Sequence, residues 1–305
     1  MTPKQVMASA EARGLPRREA ELLLQYAADR DRVWLIARGT DLLGPAVLDR
    51  YQHYVDRRLQ GEPIAYIAGC REFWSLSLEV SPAVLIPRPD TEILVQWAHA
   101  LVSQHRLHSA LDLGTGSGAI ALALKTACPE LHVTAADYSE GALAVAEGNG
   151  TRLGLSVTWV LSDWFSAFAG RRWPLIVSNP PYIAEDDPHL NQGDLRAEPR
   201  TALASGGDGL NAIRAIIASA GAHLEPRGWL VFEHGWDQGS SVRKLLQASG
   251  FEAIETRLDL AGHERVTGAR YGGADSGVDS GADSGVDSGA DSGADIGADS
   301  GAIGQ

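Results

Sequence analysis

Apolar residues recur at helical spacing through the first sixty positions. Over Arg17–Ala28 the stripe holds Ala20, Leu23, Leu24 and Ala27, and over residues 46–59 it holds Leu48, Tyr51, Val55 and Leu59. Two amphipathic helices, each with a face to cover, predict a small helical bundle. From residue 64 to 80 the pattern turns to alternation, with Phe73, Ser75, Ser77 and Glu79 on one side and Trp74, Leu76, Leu78 and Val80 on the other, which predicts a hairpin. Short apolar runs then follow at 110–113, 131–136, 157–161 and 173–178, each reading as a buried strand, and residues 119–124 read as the start of a helix after the first.

Chemistry-bearing residues fall where those strands would end. Gly114-Thr115-Gly116-Ser117-Gly118 forms a tight G-x-G-x-G turn between the first strand and its helix, as in a nucleotide-binding βα unit. A dinucleotide site usually reads G-x-G-x-x-G, so the spacing disfavours a dehydrogenase. The second strand ends at Asp137, where a carboxylate can accept from both ribose hydroxyls of an adenosine ligand. After the third, Asp163 can accept from an adenine amino group and Trp164 can cover the ring, although Trp164 and Phe165 suit an ordinary core equally well. The fourth strand runs into Asn179-Pro180-Pro181-Tyr182. Two prolines lack N–H donors and hold the chain extended, so the turn is rich in acceptors. The Asn179 carboxamide oxygen and the Pro180 carbonyl can each take one N–H of a planar NH2 group, with the Tyr182 ring against its plane.

This combination resembles the class I S-adenosylmethionine-dependent methyltransferases, in the NPPY branch that methylates planar nitrogens. The stretches 61–69, Arg71-Glu72-Phe73-Trp74 and Leu85-Ile86-Pro87-Arg88-Pro89-Asp90-Thr91-Glu92 are similar to the signature of the peptide chain release factor glutamine methyltransferases. So are Glu198-Pro199 with residues 202–210, Glu233-His234-Gly235 and residues 259–265, and the similarity covers roughly residues 15 to 271. The resemblance implies an α/β fold with a Rossmann-like, mostly parallel seven-stranded sheet. With it the chain divides into a helical substrate-recognition domain at 1–62, a linking β-hairpin at 63–84 and a methyltransferase domain at 85–272, followed by a low-complexity tail at 273–305 that has no counterpart in the family pattern. The implied methyl donor is S-adenosylmethionine, held by Gly114, Thr115, Gly116, Ser117, Gly118, Asp137, Asp163, Trp164 and Asn179. The implied protein substrate is the glutamine of the Gly-Gly-Gln motif in bacterial class I release factors. Asn179, Pro180, Pro181 and Tyr182 bind it, and Asn179, Pro180 and Tyr182 act in catalysis.

Composition changes the picture in three ways. A chain of 305 residues, 44% hydrophobic, has enough apolar material for two domains and an appendage. Two cysteines, Cys70 and Cys128, argue against a disulfide framework and for a reducing compartment, and the first residues lack the apolar core of a signal peptide, so the cytoplasm is expected. No stretch has the apolar length of a membrane span, and the nine scattered histidines suggest no metal site. His234 and His263 are expected to be structural. The tail repeats Gly-Ala/Val-Asp-Ser with a period of four and holds seven aspartates, a composition that predicts disorder. Those aspartates are its only charged residues, so residues 1–272 carry −6 of the net −13, with no basic excess for gripping DNA. Arg57-Arg58 and Arg171-Arg172 read as solvated faces. Three other readings remain open here: a ribosomal-protein glutamine methyltransferase, an adenine-N6 DNA methyltransferase, and a binding module that has lost catalysis.

Overall fold

A computed structural model of the chain describes residues 1–272. The expected disorder of 273–305 lies outside the described residues. Five helices come first: α1 (Pro3–Ala12), α2 (Arg17–Ala28), α3 (Arg32–Ala37), α4 (Pro45–Leu59) and α5 (Ile64–Ala68). The expected stripe of α2 is fully buried at Ala20, Leu23, Leu24 and Ala27, packed with Val6 and Ala10 of α1 and Tyr51 and Val55 of α4. Each buried leucine there contributes about 1.5–3 kcal/mol. Leu59 is 39% exposed, because the α4 stripe leaves the core one turn before the helix ends.

The hairpin is shorter than its alternation suggested, because residues 64–68 are helical. Pro63 precedes α5 and Gly69, at φ 73°, ends it. Strands β1 (Cys70–Phe73) and β2 (Leu76–Glu79) then pair across a two-residue turn in which Trp74 and Ser75 both have positive φ, 52° and 61°. That turn resets the parity of the pattern. Phe73 pairs with Leu76 instead of sharing a face with Ser75, Ser77 and Glu79, and it joins Leu78 in the core.

The remaining elements build one sheet with helices on both faces: α6 (Glu92–His105), β3 (Ser109–Leu113), α7 (Ala119–Ala127), β4 (His132–Asp137), α8 (Glu140–Leu153), β5 (Thr158–Leu161), β6 (Trp173–Ser178), α9 (Asn211–His223), β7 (Leu224–Glu233), α10 (Gly239–Ala248), β8 (Phe251–Leu258) and β9 (Glu264–Tyr271). Its order is β5-β4-β3-β6-β7-β9-β8, and only β9 runs against the others. Alternate residues serve opposite faces: Ala110 and Val177 pack with α6 and α7, whereas Leu111, Leu113 and Ile176 pack with α9 and α10. Strand order reverses between β3 and β6, so their carboxyl ends lie side by side with Leu113 opposite Ser178, whose hydroxyl donates to the Leu113 carbonyl at 2.8 Å. The glycine turn and the Asn-Pro-Pro-Tyr segment leave the sheet from this switch point, where open α/β sheets bind ligands.

Candidate active site

Over the switch point lies a cleft of about 890 Å³, a volume that suits a small-molecule ligand. Gly114, Gly116 and Gly118 all have positive φ, and the backbone N–H groups of Gly114 and Thr115 donate to the carbonyl of Ala136 at the end of β4. A Cβ on Gly116 would meet no atom within 4 Å, because that position faces the open cleft. Gly118 is turned away from the cleft, and a Cβ there would press on Leu122, Ala146 and Trp159, so its smallness serves packing at the start of α7. Asn149, fully buried on α8, donates to the carbonyls of Ser117 and Glu79 and accepts from the Glu79 N–H, tying the glycine turn to β2.

Asp137 is buried at the end of β4, and burial raises its pKa. One carboxylate oxygen accepts from the Gly116 N–H and the other from the Ser139 N–H, both at 2.9 Å, and the residue lines the cleft. Asp163 and Trp164 line the same cleft, whereas Phe165 belongs to the core and stacks on His223 with ring centroids 4.5 Å apart. The acceptors and the indole suit an adenosine ligand.

Asn179 and Pro181 line the cleft on the other side, while Pro180 is buried beneath it. The Asn179 side-chain nitrogen donates to the Thr91 hydroxyl at 3.1 Å. Thr91 in turn donates to Glu233 at 2.6 Å, and the Tyr182 hydroxyl donates to the other Glu233 oxygen at 3.0 Å. Glu233, 1% exposed at the end of β7, has its pKa raised by burial, and its charge pushes the Tyr182 hydroxyl well above its ordinary range. Tyr182 packs against the core beside α9, and its carbonyl accepts from Gln238 at 2.9 Å. Gly209, at φ 75°, lies so near that carbonyl that a side chain would collide with it.

Thr91, Glu233, Arg88 and Glu198 gained no role from the sequence. Arg88 lines the cleft and pairs with Glu198 at 2.5 Å, and the second Glu198 oxygen is buried without a partner. Glu198 belongs to a loop whose two ends meet where Ile183 and Ser205 exchange backbone hydrogen bonds with Leu203 and Ile183. The same loop reaches the helical bundle: Asp194 pairs with Arg58 at 2.8 Å, and Arg196 lies over Gly61. Arg58 also pairs with Glu19, and Arg57 with Glu62, so neither arginine is the solvated charge the sequence suggested. His234 is fully buried, with Nδ1 bonded to the Gly235 carbonyl and Nε2 to Thr267, while His263 is exposed beside Trp236. Both ring nitrogens of His234 are thus engaged away from the cleft.

Two family models match the chain: the PrmC N-terminal domain over residues 5–69 and the methyltransferase small domain over residues 90–210. Among solved structures, the hMettl16 catalytic domain in complex with MAT2A 3′UTR hairpin 6 superposes with a TM-score of 0.54 at 19% identity, covering 70% of this chain and 82% of that one. The Thermus thermophilus 16S rRNA N2 G1207 methyltransferase in complex with AdoMet and guanosine gives 0.51 at 19% identity, covering 66% and 49%. Both likenesses show the fold. Curated relatives named "Release factor glutamine methyltransferase" are far closer. The Xylella fastidiosa Temecula1 protein is 48% identical over 88% of this chain and 98% of its own length, and that of Escherichia coli K12 is 45% identical over 88% and 97%. The Pseudomonas aeruginosa protein is 50% identical over 82% and 91%. With the methyltransferase fold and near full-length identity at this level, the chain is a methyltransferase and belongs to the release factor glutamine methyltransferase family.

Proposed function

We propose that this enzyme transfers a methyl group from S-adenosylmethionine to the side-chain amide nitrogen of the glutamine in the Gly-Gly-Gln motif of bacterial class I release factors, acting in the cytoplasm in support of translation termination. The observation that carries the reading is the commitment of the Asn179 nitrogen to Thr91, which leaves the carboxamide oxygen as an acceptor at a cleft shared with the glycine turn. The names of the curated relatives support the substrate class. The open wall at Gly116, the cleft-lining Asp137 carboxylate and the Trp164 ring fit the nucleoside of S-adenosylmethionine. Bound there, that cofactor supplies an electrophilic methyl on a sulfonium.

The obstacle is electronic, because an amide lone pair is delocalised into its carbonyl. Asn179 and the Pro180 carbonyl would accept from the two N–H groups of the glutamine, orienting the NH2 and favouring electron density on its nitrogen. Transfer leaves the donor as a neutral thioether, and the surplus proton passes to solvent water from a nitrogen that methylation has made strongly acidic, so no strong base is needed before attack. Tyr182 would lie at the amide plane, with its hydroxyl anchored on Glu233.

The test is mass spectrometry of release factor, ribosomal protein and DNA, each incubated with enzyme and labelled S-adenosylmethionine. One added methyl on the Gly-Gly-Gln glutamine is expected, and methyl on a ribosomal-protein glutamine or on adenine instead would replace the reading. Asn179→Ala should reduce turnover by about a hundredfold, since one positioned acceptor is worth on the order of 3 kcal/mol in the transition state, while most of the cofactor affinity remains.

A further inference from the structure

We propose that Glu233 and Thr91 are positioning residues that decide which end of the Asn179 carboxamide faces the cleft. The inference rests on the reading of Asn179 as an acceptor for the substrate amide. Asparagine is nearly symmetric in shape, and its oxygen and NH2 group exchange places by a half-turn of one bond. Only the face showing oxygen can accept N–H bonds from a substrate. Something must choose that face, and shape does not.

The choice follows from proton counting along the buried chain. The Thr91 and Tyr182 hydroxyls both donate to Glu233, one to each oxygen, so the carboxylate acts as an acceptor on both sides and the single Thr91 proton is committed to it at 2.6 Å. Thr91 then has only lone pairs for its other neighbour, and the Asn179 group 3.1 Å away must be the donor. Turned by half a rotation, Asn179 would set oxygen against oxygen with no proton between them. Tyr182 donates to the second Glu233 oxygen at 3.0 Å, which seats the carboxylate from both sides. Asp90 and Arg265 are the other charged groups acting on Glu233, and Arg265 is itself paired with Asp259 at 2.9 Å. Glu233 is 1% exposed and away from the cleft wall, so water is poorly placed to substitute for it, while Thr91, 3% exposed, stands between it and the cleft.

An amide at position 233 has the same outline but the opposite instruction. With the Tyr182 hydroxyl still donating to the Gln oxygen, the Gln NH2 would donate to Thr91. The Thr91 proton would then be free for the Asn179 oxygen, and the Asn179 NH2 would turn into the cleft. Glu233→Gln is therefore expected to lower kcat by at least about tenfold, with the cofactor Kd and Tm close to the parent. Thr91→Val, which keeps the shape and removes the hydroxyl, is expected to lose a similar factor, and Thr91→Ser to recover most of it. A packing role would give a different order, with the two isosteric changes mild and the smaller serine worst.

Kinetics are paired with a readout that needs no substrate. In 15N-labelled protein the Asn179 side-chain NH2 pair is identified as the signal lost in Asn179→Ala. It is expected to move in Glu233→Gln and Thr91→Val and to stay near its parental position in Thr91→Ser. Unmoved signals in Glu233→Gln and Thr91→Val, parental kcat in either, or a kcat loss that tracks Tm, would each overturn the inference. Signals that move in the variants as described, with a parent enzyme that leaves the release-factor glutamine unmodified, would uphold the orientation and overturn only the substrate.

Discussion

Asp112 has a threonine hydroxyl for company and little else. It is fully buried on β3, accepts from Thr115 at 2.6 Å, and has its second oxygen unpaired, so burial pushes its pKa from 3.8 up to about 7. An acid with a raised folded-state pKa binds its proton more tightly when folded. The stability it contributes is therefore complete below pH 3.8 and is lost as pH rises through about 7. Asp112→Asn should remove that slope. Urea unfolding at pH 5 and pH 7.5 should show the variant gaining on the parent at the higher pH by an amount on the order of a few kcal/mol, and an equal difference at both pH values would contradict it. At this scale the site was half legible. Asn179 and Asp137 announce themselves because each ends a strand, and the strand pattern is local. Thr91 and Glu233 lie 142 positions apart and meet only through the fold, so their partnership leaves no trace in spacing.

The hairpin between bundle and sheet shows where reading by element fails. Alternation is a sound guide within β1 and β2, but a two-residue turn pairs the residues on either side of it, and counting through it puts Phe73 on the wrong face. Both turn residues hold positive φ without being glycine, at a cost that glycine would avoid. Ser75→Gly should accordingly raise Tm by about 1–4 °C, as expected for a gain near 0.5–1 kcal/mol in a domain of this size. A lower Tm would mean that the serine side chain holds the turn. Arg58 on α4 is illegible in sequence for a related reason, since its partners Glu19 and Asp194 lie far along the chain. Arg58→Ala strands Glu19 and Asp194 at once. It should destabilise by about 1–3 kcal/mol and speed proteolytic cleavage between residues 183 and 205, because that loop loses a tie to the bundle. Cleavage at the parental rate would show that the loop's other ties, Arg88–Glu198 and the Ile183 backbone bonds among them, hold it without Arg58.

For the molecule as a whole, the order of the sheet strands does what no single strand can, placing two turns from distant parts of the sequence at one switch point. The tail at 273–305 carries a repeat whose sequence offers neither core residues nor catalytic groups. Truncation after Gly272 should leave Tm and turnover on release factor unchanged, and a loss of turnover at constant Tm would give the tail a part in engaging the substrate. Topology also sets the order in which the enzyme comes into being. Tyr182 precedes Glu233 by 51 positions, which at about 5–20 residues per second is roughly 3–10 s of synthesis. A growing chain thus holds the whole Asn-Pro-Pro-Tyr motif before the glutamate that orients it has been made. During translation, the enzyme's competence waits on its last strands.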